Sequence, residues 1–123
     1  MITEEDLQKI KALRKTLHSM PEKSGEEIKT KACLMTFLKE NTSLQTEDRG
    51  SYFFAYAKAP GAKMSPVAFR ADMDAVCAHD GKPGHFCGHD GHSSILAGLA
   101  LTLDKEKEKL SRDVYLIFQP AEE

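Results

Sequence analysis

Apolar residues recur at helical spacing in two segments at the start of the chain. Thr3 and Asp6 match the capping box that opens a helix, and apolar residues follow on one predicted face: Leu7, Ile10, Leu13 and Leu17. Met20-Pro21 ends this helix, because proline cannot donate a backbone hydrogen bond. Ser24 and Glu27 match a second capping box, and another apolar series follows it: Ile28, Ala32, Met35 and Leu38. The pattern predicts two amphipathic helices.

The middle of the chain has the shorter apolar runs of a β-sheet. Residues 44–48 and 52–57 predict two strands, and Arg49-Gly50 between them predicts a hairpin. A third strand is expected to begin at Pro66 and to run toward Asp74. These features predict an antiparallel pair followed by a separate strand.

The remainder of the chain predicts a strand–helix–strand unit. A helix is expected from about residue 91 to 110, with one apolar face: Ile95, Leu96, Leu99 and Leu103. The near-continuous apolar run at 114–118 predicts a strand buried on both faces. Because a helix connects them, the third and last strands should lie parallel. We therefore predict an α/β fold whose mixed sheet contains a parallel βαβ unit.

Composition narrows the class of protein. The 123 residues fit one small domain, and 41% hydrophobic residues are enough for a core. A net charge of −2 gives no sign of a nucleic-acid partner, and no run approaches the roughly 18 apolar residues of a membrane span. The acidic first ten residues lack the pattern of a secretory signal, so a cytoplasmic location is expected. Three cysteines, an odd number, argue against a closed disulfide framework.

Acidic residues follow two of the predicted strands. Asp72 and Asp74 come at the end of the third strand, and Glu122 and Glu123 follow the last one. In open α/β sheets ligands bind beyond the carboxyl ends of the strands, so both acidic pairs should point into one crevice. Neighbouring side chains on a strand diverge, so the adjacent carboxylates Glu122 and Glu123 can take different roles.

Between these acidic pairs lies a cluster of potential metal ligands, residues 85–92, which reads HFCGHDGH. Three histidines and one cysteine supply imidazole and thiolate, which suit zinc and neighbouring transition metals. The adjacent helix N-terminus predicts a stabilised thiolate at Cys87. A lone buried Asp or His is usually a satisfied structural residue, but the paired acids and the Cys/His cluster together predict a site. His18 and His79 are weaker candidates, and a surface position would explain His18 equally well.

Three segments, in order, resemble the N-terminal motifs of the aminoacylase-type metallopeptidases. They are residues 69–75 (FRADMDA), 87–92 (CGHDGH) and 118–123 (FQPAEE). The branch that contains hippurate hydrolases, indole-acetyl-amino-acid hydrolases and N-acyl-amino-acid amidohydrolases is the most similar. The opening segments 17–22 (LHSMPE) and 24–27 (SGEE) also resemble the start of that branch. The resemblance implies part of a zinc-exopeptidase-like catalytic domain.

The resemblance also implies roles for the site residues. Cys87, His89 and Glu123 match metal ligands of the branch. Glu122 matches the general base, and Asp74 matches the catalytic acidic residue that supports the metal site from the strand end. Four further positions are expected to support the ligands or to face the substrate: Asp72, His85, Asp90 and His92.

The implied reaction is the hydrolysis of an amide bond in an N-acyl amino acid or a similar small, peptide-like substrate. It would use a divalent metal, zinc or manganese, with two ions in the complete enzyme. No nucleic-acid or membrane partner is expected, and a homodimer is expected only for the full-length form.

The family's catalytic domain continues past the third motif, with two more histidine ligands and a satellite domain for dimerisation. Residues 1–123 are therefore expected to form the N-terminal part of the catalytic domain and to be inactive alone. Two alternatives remain: a catalytically silent fragment of the same fold, or a small structural metal-binding module. The module should unfold when its metal is chelated, whereas an amidohydrolase scaffold should not.

Overall fold

The computed structural model describes all 123 residues, which form three α-helices, six β-strands and one 3₁₀ turn. In chain order the elements are α1 (Glu4–His18), α2 (Ile28–Asn41), β1 (Gln45–Asp48), β2 (Phe53–Ala57), β3 (Val67–Asp72), β4 (Val76–Cys77), β5 (Pro83–Gly84), α3 (His89–Glu106), the 3₁₀ turn (Lys107–Lys109) and β6 (Val114–Gln119). The β4–β5 hairpin was not predicted. No helix has the length and apolar content that crossing a membrane requires.

The sheet order positions the candidate site. Four strands pair in the order β1-β2-β6-β3, with β6 antiparallel to β2 and parallel to β3. The predicted mixed sheet and its parallel βαβ unit are confirmed. The parallel register ends with Asp72 opposite Gln119, so the carboxyl ends of β3 and β6 lie side by side.

The central strand β6 is buried on only one face. Val114, Leu116 and Phe118 are buried, whereas the alternate residues are partly exposed. The prediction of burial on both faces is wrong, because α3 packs against a single side of the sheet. On the opposite face Tyr56 and Tyr115 stack with ring centroids 5.7 Å apart.

The first helix begins as predicted. The Asp6 backbone N–H donates to Thr3 Oγ1 at 3.0 Å, and the Thr3 N–H donates to Asp6 Oδ2 at 3.1 Å. The Asp6 carboxylate also pairs with Lys105 on α3. This hydrogen bond from Lys105, with the one from Thr3, lowers the pKa of Asp6 to about 2. The Asp6 carboxylate therefore both caps α1 and connects it to α3.

The capping box predicted for α2 is wrong. Glu27 occupies the N-cap position but its side chain makes no capping bond. Glu22 caps the helix instead: its carboxylate accepts hydrogen bonds from the backbone N–H groups of Lys29 and Thr30, the latter at 2.6 Å. The side chains of Ser24 and Glu27 therefore do not cap α2 and instead bond to Asp74 and Ala121, respectively.

The buried face of α2 also differs from the prediction. Thr30, Leu34 and Leu38, which recur every fourth residue, are buried, whereas Ile28 is 76% exposed. A similar error affects α3, where Ile95 is 72% exposed and Leu96 is buried. Apolar spacing identifies a helix, but the tertiary contacts decide which residues face the core.

We expect Leu34→Ala to lower the free energy of unfolding by about 2–5 kcal/mol, because it leaves a cavity at a fully buried position. Ile28→Ala on the same helix should change it by less than about 0.5 kcal/mol. Urea unfolding of both variants measures the difference. A larger loss in Ile28→Ala would mean that the face predicted from sequence is the packed one.

Candidate metal centre

β3, β6 and the start of α3 bring the predicted site residues together at one edge of the sheet. Two sets of three potential ligands form there, and in each set the donor atoms lie within 4.8 Å of one another. One set is Cys87, His89 and Glu123. The other is Asp72, His89 and Glu122. His89 belongs to both sets and lies at the centre of the site.

Contacts with Asp74 fix the orientation of the His89 ring. His89 Nδ1 lies 2.9 Å from the Asp74 carbonyl oxygen and 3.2 Å from Asp74 Oδ1, so Nδ1 is the nitrogen that donates. Nε2 then faces three carboxylates, 3.5 Å from Glu122, 3.7 Å from Asp72 and 3.8 Å from Glu123. A histidine that donates through one nitrogen to a carbonyl presents the other as a ligand.

His89 starts α3 two residues before the predicted helix boundary. Gly88 at the N-cap has φ +88°, a left-handed conformation that glycine adopts without strain. Cys87 and His89, on either side of Gly88, belong to one donor set with Glu123.

Negative charge surrounds the His89 imidazole. Burial is the largest single influence and disfavours the imidazolium, but the bond to the Asp74 carbonyl and the nearby charges of Asp72, Asp74 and Glu122 outweigh it. The pKa of His89 is therefore raised above its ordinary value. One imidazolium cannot balance this many carboxylates, so the donor set fits a divalent cation.

Asp74 is fully buried and bonds to the residues around it. Its Oδ2 accepts from the Ser24 hydroxyl at 2.6 Å and from the Glu123 backbone N–H at 2.9 Å. Burial opposes ionisation most strongly, yet these bonds, with the backbone contributions from Asp74 and Glu122, hold the pKa of the carboxyl below its ordinary value. Asp74 is thus an ionised group that orients its neighbours and does not reach solvent.

The predicted stabilisation of the Cys87 thiolate is wrong for the metal-free chain. Although the side chain reaches solvent, partial desolvation raises the pKa of the thiol, and the Glu123 and Asp74 charges raise it further. The His89 backbone N–H at the helix start lowers it, but not enough to compensate. A bound cation would reverse this balance, because metal coordination displaces the thiol proton.

Asp72 is buried and already carries a partner of opposite charge. Its Oδ1 pairs with the half-exposed Arg70 guanidinium. Its backbone N–H donates to His92 Nδ1 at 3.3 Å, and its Oδ2 lies 3.4 Å from the same nitrogen. His92 therefore packs against Asp72 and lies outside both donor sets.

Asp90 joins the start of α3 to α1. Its buried carboxylate lies 2.8 Å from His18 Nδ1 and 2.9 Å from Arg14 Nε. Burial opposes ionisation most, but the hydrogen bonds from His18 and the Gly91 N–H prevail, and the pKa of Asp90 lies below its ordinary value. His18 is therefore part of the support beneath the site.

His85 is the one predicted site residue without a polar contact. It is 7% exposed, and neither ring nitrogen has a hydrogen-bond partner in the chain. Burial lowers its pKa, which favours the neutral ring. Its nearest aromatic neighbour is His18, with ring centroids 6.2 Å apart.

The family model for peptidase family M20/M25/M40 matches residues 68–123, the segment that contains every ligand candidate. A solved Bacillus subtilis structure, described as a dinuclear metal-binding peptidase from the M20 family, superposes on 96% of this chain with a TM-score of 0.85 and 26% identity. Residues 68–123 are therefore similar to peptidase family M20/M25/M40.

Curated proteins also match most of this chain. The N-acetyl-L-cysteine deacetylase of Bacillus subtilis is 35% identical over 90% of this chain, and IAA-amino acid hydrolase ILR1-like 5 of Arabidopsis thaliana is 37% identical over 90%. The chain spans 29% and 28% of the length of these relatives and 36% of the solved structure. The similarity therefore extends over about a third of the length of those proteins.

Several residues that support this site have no local signal of that role in the sequence. Arg14 lies on an exposed helix surface, and Ser24 and Glu27 match a local capping box. Their partners lie 50 or more residues away along the chain. Only the resemblance of segments 17–22 and 24–27 to family motifs marked the region.

Proposed function

We propose that this chain contributes to the metal-dependent hydrolysis of an amide bond in an N-acyl amino acid or a similar small amide. The observation that carries the proposal is the position of His89, which belongs to both donor sets and whose Nε2 lies 3.5 Å from Glu122. The names of two relatives support the substrate class, because one is a deacetylase of N-acetyl-L-cysteine and the other a hydrolase of an amino acid conjugate.

Cys87, His89 and Glu123 would hold one divalent cation. Thiolate, imidazole and carboxylate together suit zinc, and the carboxylate is also compatible with manganese. A second ion in the complete enzyme is consistent with the dinuclear relative. A cation bound there would polarise the amide carbonyl and make a nearby water more acidic.

Glu122 would act as the general base. Its side chain is 39% exposed, so a carboxylate oxygen is free to accept a proton from water and to pass it to the leaving amine. Asp74 would hold the His89 ring so that Nε2 faces the reaction. We further propose a cytoplasmic enzyme whose full-length form is a homodimer and which has neither nucleic-acid nor membrane partners.

A chimera tests the proposal. Residues 1–123 replace the matched N-terminal segment of the Bacillus subtilis N-acetyl-L-cysteine deacetylase, and the unmodified relative is the control. We expect hydrolysis of N-acyl amino acids that stops on chelation and returns with zinc or manganese. The 123-residue chain alone should show no turnover, because its carboxylates and thiol are open to water, which weakens electrostatic stabilisation. A folded, metal-loaded chimera without activity would contradict the proposal.

The structural-module alternative predicts a fold that depends on the metal. None of the candidate ligands belongs to the core cluster of 14 buried residues, which favours a scaffold that is stable without metal. Thermal melts with and without a chelator separate the two. Unfolding on chelation would favour the module.

A further inference from the structure

We propose that Glu27 and Ser24 are positioning residues that hold the 121–123 segment so that Glu122 and Glu123 face His89. The inference rests on the proposed function, because it assigns a purpose to the placement of these two carboxylates. Both residues precede α2 and belong to neither donor set.

Glu27 holds the turn that redirects the chain after β6. It is 5% exposed, and its Oε2 accepts a hydrogen bond of 2.6 Å from the Ala121 backbone N–H. Ala121 has φ +54° and is the one non-glycine residue with a positive φ. An L-residue adopts this conformation reluctantly, so the surrounding contacts must maintain it.

The turn at Ala121 takes the place of the strand alternation that was expected to direct the side chains of Glu122 and Glu123 to different sides. β6 ends at Gln119, so Glu122 and Glu123 lie outside the strand and that explanation is wrong. Both side chains instead point toward the same His89 Nε2, at 3.5 and 3.8 Å. The turn at Ala121 makes this convergence possible.

Ser24 acts through Asp74. Its hydroxyl lies 2.6 Å from Asp74 Oδ2 and 3.2 Å from the Glu123 carbonyl oxygen. The same Oδ2 accepts from the Glu123 N–H, while Asp74 Oδ1 lies against His89. One carboxylate therefore connects His89 with Glu123, and Ser24 fixes that carboxylate.

A purely structural role for Glu27 explains less. Its helix does not need it as a cap, because Glu22 already accepts the first backbone N–H groups of α2. Burying a carboxylate is costly unless it is hydrogen-bonded, and the bond recorded for Glu27 is the one to Ala121. The contact therefore serves the 121–123 segment.

Amide hydrogen exchange in the metal-free chain tests the contacts directly. We expect the Ala121 and Glu123 amides to be protected in the unmodified chain. Glu27→Ala should abolish protection at Ala121, and Glu27→Gln, which keeps an acceptor oxygen, should retain part of it. Glu26→Ala, at the adjacent exposed residue, is the matched control and should change neither amide. Unchanged protection in Glu27→Ala would overturn the proposal.

Cobalt(II) titration tests the consequence for the site, with the thiolate-to-cobalt absorption of Cys87 as the readout. Glu27→Ala and Ser24→Ala should bind about 10–100-fold more weakly, with Glu27→Gln closer to the unmodified chain and Glu26→Ala equal to it. If Glu27→Ala fails to fold, Ser24→Ala, which removes only one hydroxyl, decides the outcome. Equal affinity in Ser24→Ala and the unmodified chain would contradict the proposal.

The two measurements separate this inference from the proposed function. An unmodified chain that binds no cobalt but shows protected Ala121 and Glu123 amides would contradict the metal site and leave the positioning contacts standing. Normal cobalt binding with unprotected Ala121 and Glu123 amides in the unmodified chain would support the metal site and contradict the positioning contacts.

Discussion

His89→Ala is expected to reduce metal affinity by more than about 100-fold, beyond the range typical of residues that only support a ligand. His89 is the only residue common to both donor sets, so its loss removes an imidazole from each. It also leaves the carboxylates of Asp72, Glu122 and Glu123 without their central partner. Isothermal titration of the purified chain with zinc and manganese measures the effect.

His79→Ala is the matched control for this substitution. His79 is exposed and belongs to neither donor set, so its loss should leave affinity unchanged while lowering the histidine count equally. Far-ultraviolet circular dichroism checks that both variants remain folded. Similar affinity in His89→Ala and the unmodified chain would remove His89 from the metal site.

The fold was largely predictable because its strongest signals are local. The Thr3–Asp6 capping box and the parallel β3–α3–β6 unit are confirmed. Two of the errors concern burial: Ile28 and Ile95 lie at helical spacing yet face solvent. Periodicity specifies which residues share a face, whereas packing of the helices on one side of the sheet decides how that face is turned.

The candidate site was predictable as a collection of residues, but not as a network. The sheet rule brought the acidic pairs toward the Cys87–His89 segment, because parallel strands end at one edge. The bonds that orient them join positions far apart in sequence, as between Glu27 and Ala121 or Asp90 and Arg14. No local pattern encodes such pairs, so Ser24 and Glu27 were interpreted as a helix cap.

The pKa of Cys87 could not be predicted from the sequence for a related reason. A cysteine before a helix start predicts a stabilised thiolate, and that expectation considers only the helix. Glu123 and Asp74 approach from other elements and, with partial desolvation, raise the thiol pKa. The sign of a pKa shift depends on every charge that the fold brings near the group, and most of those charges are distant in sequence.

Replacing Glu122 or Glu123 by glutamine in the chimera should have different effects on turnover and on metal binding. Glu122→Gln keeps the shape of the side chain but cannot accept a proton, so turnover should fall by roughly two to four orders of magnitude while metal content is retained. Glu123→Gln should instead weaken metal binding, because Glu123 completes the set with Cys87 and His89.

The similar positions of Glu122 and Glu123 make the assignment of their roles a demanding test of the proposal. Glu122 and Glu123 lie at nearly equal distances from His89 Nε2, 3.5 and 3.8 Å, so distance alone does not divide their roles. Their surroundings distinguish them. Glu123 belongs to the donor set that contains the Cys87 thiol, and its backbone N–H donates to Asp74. Glu122 has the more exposed side chain, at 39% against 34%. Metal analysis and steady-state kinetics of both variants, with Glu26→Gln as an exposed control, decide the assignment. Equal metal loss in both variants, or full turnover in Glu122→Gln, would contradict it, and metal loss confined to Glu122→Gln would reverse the two roles.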